Sequence, residues 1–348
     1  MQGLPQADLD HVQAYAGGCL RDLSGAHIFI TGGTGFIGKW LLESLQHANR
    51  VLNTGITATV LSRNPDAFLA AWPQFRDQAL GFRRGDVREP QDCSGHDVVI
   101  HASGDSDDKK NSADPLSMLD GIVQGGRNLL QAAADAGCRR MLILGSGAVY
   151  GDQPASISHL PEDCRQAPRL DTPNAKAIYG EGKRIVELLA AHYAERHALP
   201  VCTARCFSFL GPYLPLDRHF AAGNFMRDAL QGNEIVLSGD GSTVRSYMHP
   251  ADLTIWLWTL LCHGAAGQSY NVGSDIALTT WELAQKIAAL SPRKPAVRRL
   301  VEPGSNSPDH YVPAITRAQS ELGLKLYIDL DQSICRTLTW HLQMQKSA

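Results

Sequence analysis

The segment Ala26-His27-Ile28-Phe29-Ile30-Thr31-Gly32-Gly33-Thr34-Gly35-Phe36-Ile37-Gly38 constrains this chain more than any other. A short apolar strand runs into glycines at 32, 35 and 38, and a helical pattern opens at Lys39-Trp40-Leu41-Leu42. Gly32 allows a tight turn off the strand. Gly35 lets backbone approach a pyrophosphate where a Cβ would clash, and Gly38 lets the helix pack close to the sheet. The unpaired N–H groups at that helix start, with the dipole behind them, suit an anion. In this strand–turn–helix context the glycines read as a dinucleotide-binding fingerprint, with Thr34, Phe36 and Ile37 filling out the cradle.

The rest of the first half repeats the alternation. Strands are expected to end at Val60-Leu61 and to run over Asp97–His101, Met141–Leu144 and Leu199–Arg205. Helical patterns lie at Lys39–His47, Met118–Ala136 and Ile178–Arg196. Residues 1–24 form an amphipathic extension with Leu9, Val12, Tyr15 and Leu20 as its buried stripe. Short apolar strands between amphipathic helices predict an α/β fold, a Rossmann-type doubly wound parallel sheet covered on both faces. Ligand then sits outside the carboxyl ends of the strands. After Arg205 proline and glycine increase, and residues 206–348 read as a smaller mixed α/β substrate-binding domain closing over residues 1–205. The two interleave, because Tyr270-Asn271-Val272-Gly273 reads as a strand returning to the main sheet. Pro292–Pro308 is the loosest stretch, and Asp105, Asp107, Asp108, Lys109 and Lys110 read as a polar, mobile loop at the site mouth.

Composition excludes several classes. A net charge of −3 provides no electrostatic footprint for nucleic acid. The longest apolar run, Thr254–Cys262, is too short to span a membrane. The acidic start, Met1–Asp10, lacks the apolar stretch of a secretory signal. Eight cysteines without a C-x-x-C pair read as core residues of a reduced, cytoplasmic protein. Thirteen histidines show no metal-ligand spacing, so no metal site is expected. Trp256 and Trp258 read as helix packing, Cys206 as packing, and His101 as a strand residue beneath the ligand.

A second constellation carries chemistry. Tyr179 and Lys183 stand one turn apart on one helix face, and Ser146 lies just beyond the fourth expected strand, at the ligand end of the sheet. A phenol is a poor base at neutral pH unless a neighbouring ammonium stabilises the phenolate. A serine hydroxyl can bond the same substrate oxygen. Together the three suit proton removal from a carbinol while a hydride leaves its carbon.

These two constellations give the chain its resemblance to the extended short-chain dehydrogenase/reductases of the nucleotide-sugar epimerase/dehydratase group, over nearly its whole length. The resemblance implies a nucleotide-sugar substrate, a nicotinamide cofactor, Ser146, Tyr179 and Lys183 as catalytic residues, and a homodimer through the helices at Met118–Ala136 and Ile178–Arg196. It places adenine by Asp86 and Val87, and Ala102 and Ser103 along the cofactor. It places the sugar and diphosphate by Ser208, Asn224, Phe225 and Arg245. Of these, Arg245 supplies the cation that a diphosphate needs. Several positions depart from the pattern. Ser146-Gly147-Ala148 replaces the threonine-aspartate-glutamate run of sugar 4,6-dehydratases, so elimination of water through those acids is not expected. Ile122 and Ser208 stand where asparagines are usual, and Glu302-Pro303-Gly304-Ser305 replaces a late arginine-x-glycine-aspartate. The stretch from Gly151 to Tyr179 is longer than usual and is expected to reshape the substrate pocket.

Leu61-Ser62-Arg63-Asn64 carries no acid until Asp66. An acid there would accept a ribose 2′-hydroxyl, whereas Arg63 with Ser62 suits a 2′-phosphate, so NAD(P) is expected with a lean to NADP. Two reactions at C4 of a nucleotide-linked hexose remain open: epimerisation with the cofactor retained, or reduction of a 4-keto sugar by NADPH. A non-catalytic dinucleotide-binding relative would not need Ser146, Tyr179 and Lys183 together.

Overall fold

A computed structural model describes residues 3–104, 112–169, 174–217, 220–304 and 309–346. The chain opens with α1 (Gln6–Asp22), then β1 (His27–Thr31), α2 (Phe36–Leu52), β2 (Thr57–Ser62), α3 (Pro65–Ala71), β3 (Leu80–Arg84) and β4 (Val98–His101). It continues through α4 (Pro115–Asp135), β5 (Arg140–Ser146), α5 (Ala175–Arg196) and β6 (Val201–Cys206). The second half holds α6 (Ala221–Gln231), β7 (Ile235–Leu237), β8 (Val244–Arg245), α7 (Pro250–His263), β9 (Ser269–Val272) and β10 (Leu278–Thr279). It ends with α8 (Thr280–Leu290), β11 (Val297–Arg299), β12 (His310–Tyr311), α9 (Thr316–Leu322) and α10 (Leu330–Lys346).

Seven parallel strands form the main sheet in the order β3-β2-β1-β4-β5-β6-β9. Its central strands are apolar on both faces, as parallel strands under helices must be; β4 is buried throughout. The order reverses at β1, so the connections that leave β1 and β4 run to opposite faces of the sheet and leave a crevice at the strands' carboxyl ends. Register fixes who meets there: Thr31 opposite His101, and Ser146 opposite Cys206. The returning strand expected at Tyr270–Gly273 is β9 (Ser269–Val272), paired with β6.

Helix starts follow local chemistry. Asp114 caps α4 by accepting from Ser117 N at 3.0 Å, and Asn174 caps α5 by accepting from Ala177 N at 2.9 Å. Both helices therefore begin three residues before their expected starts, because the apolar periodicity begins only after the first turn. Two expectations need correction. The sequence reading has no strand at Leu80–Arg84, yet β3 forms the sheet edge; Gly81, Arg83 and Arg84 conceal it, and an edge strand needs only one apolar flank. Tyr15, expected in the buried stripe of α1, is 49% exposed and stacked on Tyr327, with ring centres 3.8 Å apart. Leu9, Val12 and Leu20 are buried as expected.

Helix α7 is apolar all round and is enclosed between α1, α2 and the sheet, with Trp256 and Trp258 fully buried. Their indole N–H groups donate to Lys325 O at 3.0 Å and Ser44 Oγ at 2.9 Å. A separate apolar cluster joins α6, α8 and α10, and Phe36 at the start of α2 touches both this cluster and the main core. Two small sheets, β10-β8-β12 and β11-β7, lie in this second part. Among the described residues no helix is long and apolar enough to cross a membrane, and no group of metal-ligating side chains is assembled. Asp105, Asp107, Asp108, Lys109 and Lys110 lie outside the described residues, as do Ser305–Pro308 of the expected loose stretch.

Candidate active site

The turn after β1 is shaped by what surrounds it. Gly32 has φ +72°, and a Cβ there would collide with the Ala102 carbonyl at the end of β4. A Cβ on Gly38 would collide with the turn itself, at Gly32 O and Gly33 Cα, so this glycine brings α2 onto the turn rather than onto the sheet. Gly35 is the N-cap of α2 and is exposed, with no side-chain cap, so the helix start keeps its N–H groups for a ligand. Thr34, Phe36 and Ile37 flank it, half-buried. His101 pins the neighbouring strand end by sharing a hydrogen bond with Thr31 Oγ1 at 2.8 Å. Burial, with Lys183 adding to it, pulls the His101 imidazole down to about 3, so it stays neutral.

Ser146 ends β5, and its Oγ accepts from Ala148 N at 3.1 Å. Tyr179 and Lys183 lie on α5, the lysine Nζ 5.8 Å from the Tyr179 ring centre. Lys183 is buried and donates to Leu144 O at 2.9 Å; a Cβ on Gly104 would lie 3.2 Å from its Nζ. The ammonium thus reaches from α5 across the end of β5 toward the loop after β4. Ala102 and Ser103 begin that loop, Ala102 N bonding Thr31 O at 3.0 Å and Ser103 Oγ lying 3.4 Å from His101 Nδ1. Burial pushes the Cys206 thiol, opposite Ser146, up to about 12, which fits packing rather than catalysis.

At the other end of the cradle, Arg63 is exposed just past β2. The nearby carboxylates already have partners. Asp66 pairs with Arg84 at 2.6 Å, and Asp86 is wrapped by Arg88, with Nη2 at 2.7 Å and Nε at 3.1 Å. Arg88 first, with Arg63 also contributing, holds the Asp86 carboxyl below its ordinary value. Ser62 Oγ accepts from Asn64 N at 3.3 Å, and Val87 packs against Gly125 of α4.

On the opposite side, Arg245 is held by Asp309 at 2.7 Å and lies 5.7 Å from the Tyr311 ring centre. Ser208 is half-buried and its carbonyl accepts from Met248 N at 3.1 Å. Asn224 on α6 accepts from Arg227 at 3.2 Å. The Phe225 side chain is buried in the second cluster, which leaves only its backbone for a ligand.

Sequence reasoning missed Tyr311. Its hydroxyl lies within hydrogen-bonding reach of Ser146 and close to Tyr179 and Cys206, and its ring packs on Phe207 with centres 4.5 Å apart. Burial pushes this phenol well above its ordinary range. No local motif marks it, because tertiary pairing brings it in. On one side β12 pairs with β8. On the other, Leu160 N bonds Val312 O at 2.8 Å and Gln153 Oε1 accepts from Val312 N at 2.9 Å. The long stretch after Gly151 thus supports the strand that carries Tyr311; its residues 170–173 lie outside the described ones.

The model of the NAD dependent epimerase/dehydratase family matches residues 28–273. A dTDP-glucose 4,6-dehydratase of Streptomyces griseus is 27% identical over 323 residues, 90% of this chain and 94% of that protein. UDP-glucuronic acid decarboxylase 6 of Arabidopsis thaliana is 27% identical over 315 residues, 89% of this chain and 87% of that protein. Among solved structures, DesIV, a dTDP-glucose 4,6-dehydratase from Streptomyces venezuelae with NAD bound, superposes with a TM-score of 0.76 at 25% identity, covering 92% of this chain and 98% of that one. The fold is also that of a UDP-glucose 4-epimerase from Thermotoga maritima, with a TM-score of 0.75 at 18% identity over 92% and 99% of the two chains.

Proposed function

The chain belongs to the NAD dependent epimerase/dehydratase family, and on that premise we propose that it is a nucleotide-diphosphate-sugar 4-epimerase. One observation carries this reading: Ser146, Tyr179 and Lys183 gather at the carboxyl end of β5, while the next two positions, Gly147 and Ala148, offer no acid to expel water. The cradle suits a dinucleotide, because the uncapped start of α2 presents N–H groups and Gly35 adds no side chain over them. Gly32–Gly38 would hold its pyrophosphate, Asp86 and Val87 its adenine, Ser62 and Arg63 its adenosine ribose, and Ala102, Ser103, Tyr179 and Lys183 its nicotinamide half. A nicotinamide held there would supply a reversible hydride acceptor for C4 of the sugar.

The protein's residues handle the proton. Tyr179 takes it from the C4 hydroxyl and later gives it back, Lys183 stabilises the phenolate, and Ser146 donates to the same oxygen. Arg245 and Asn224, with Ser208 and the Phe225 backbone, hold the nucleotide diphosphate and sugar, Arg245 exchanging Asp309 for phosphate oxygens. In this reading residues 1–205 mainly bind the dinucleotide and 206–348 mainly the sugar. The unpaired cysteines support a reducing, cytoplasmic setting.

A second reading, an NADPH-dependent 4-keto-sugar reductase, has its own support. Arg63 is exposed at the ribose end while Asp66 and Asp86 are both paired, so the rim favours a 2′-phosphate. Mass spectrometry of small molecules released from the denatured purified protein separates the two. Retained NAD supports the epimerase. An empty site that takes up NADPH and consumes it on a 4-keto sugar overturns it in favour of the reductase.

A further inference from the structure

Helix α1 precedes residues 28–273 that match the family, yet it is locked into the molecule. Asp8 pairs with Arg336 of α10, and His11 lies 3.0 Å from Asp252 of α7. Its last turn brings Cys19 against the last turn of α7. Cys262 Sγ is 3.6 Å from the Cys19 carbonyl oxygen, and Cys19 Sγ is 3.9 Å from Thr259 Oγ1, one turn earlier on α7. Both thiols therefore sit in the same contact between α1 and α7. Cys19 is buried and Cys262 half-buried, so solvent meets the pair at the Cys262 edge.

We propose that Cys19 and Cys262 are a reversible oxidation site, closing a disulfide that fastens α1 to α7 when the protein meets a hydroperoxide. The surroundings favour Cys19 as the nucleophile. The Cys262 contact, opposed by burial and assisted by His263, draws the Cys19 thiol below its ordinary value, and the same contact pushes Cys262 up. Asp22 and Arg140 are the other charges that face Cys262. The remaining close pair behaves differently, because burial pushes Cys93 up to about 12 and Cys138 to about 11. In the first step the Cys19 thiolate attacks the outer oxygen of the hydroperoxide. The O–O bond breaks, an alcohol or water leaves with a proton, and Cys19 becomes a sulfenic acid. Cys262 sulfur then attacks the Cys19 sulfur; S–S forms, S–O breaks, and the thiol proton leaves with hydroxide as water. The two thiols supply the two electrons that reduce the peroxide, and a small thiol reverses the bond by exchange.

The test uses the full chain carrying Cys335→Ser, which removes an exposed thiol capable of linking two copies. The protein is treated with hydrogen peroxide under native conditions, alkylated, digested without reduction and analysed by mass spectrometry. The expected product is a Cys19–Cys262 linked peptide, with Cys93 and Cys138 recovered alkylated after denaturation. Such a link closes a very long loop, so the oxidised protein should melt at least about 5 °C higher, reversibly with dithiothreitol. Cys262→Ser, and separately Cys262→Ala, should abolish both the link and the shift. Recovery of Cys19 and Cys262 as separate alkylated or sulfinic residues overturns the proposal. So does a linked form that melts no higher than the reduced one.

Discussion

A Cβ on Gly147 would lie 2.7 Å from the Tyr311 hydroxyl and 2.6 Å from the Phe207 ring. The space that an acid after Ser146 would occupy is already filled by two aromatic side chains. Gly147→Asp should therefore not convert the site to dehydration. It should overpack it, at a cost of about 1–3 kcal/mol. Thermal unfolding should show that loss and Tyr311→Ala in the same chain should relieve part of it; an unchanged Tm would show that the aromatics move aside freely.

Arg63→Ala should weaken NADP binding about ten- to hundredfold, since a charge-assisted phosphate contact contributes about 1.5–3 kcal/mol. NAD affinity should not move. Calorimetric titration of both cofactors against both proteins decides this, and equal weakening of both would make Arg63 a solvated loop residue.

Acid should destabilise the protein partly through His101. As pH falls through about 6.5 the unfolded chain takes up a proton at this position, whereas the folded protein refuses it until about 3. Protons therefore favour unfolding across that window, and His101 costs no stability above it. Asp8 and Glu43, whose carboxyls burial raises, act in the opposite direction. The informative comparison is between proteins: the drop in Tm from pH 7.5 to pH 5 should be smaller in His101→Asn than in wild type. An equal drop would remove His101 from the acid response.

Leu116 on α4 and Leu188 on α5 are 67% and 72% exposed, and Ile185 is exposed beside Leu188. Burying them in a second copy is the expected outcome for a homodimer through these helices. Light scattering after size exclusion should give twice the chain mass for wild type and a single chain mass for Leu188→Glu. A monomeric wild type at micromolar concentration would contradict this.

Features written in contiguous residues were legible beforehand. The glycine turn and the Tyr179–Lys183 spacing are local, and β1, β4 and β5 carry continuous apolar runs. Features that depend on tertiary partners were not. β3 hides behind Gly81 and two arginines because only one of its flanks is paired. Tyr15 fits the helical period of α1, but its neighbour is a surface tyrosine rather than the core. Tyr311 reaches Ser146 only because β8 and the segment around Leu160 grip its strand from both sides.

The central claim is that Tyr179 moves the proton for redox chemistry at C4. Its most direct test follows UDP- and dTDP-hexoses by proton NMR with wild type and Tyr179→Phe, alongside cofactor titration. Wild type should interconvert a pair of C4 epimers without net cofactor consumption. Tyr179→Phe should bind cofactor normally and turn over at least about a hundredfold more slowly. Near-normal turnover by Tyr179→Phe would contradict the claim.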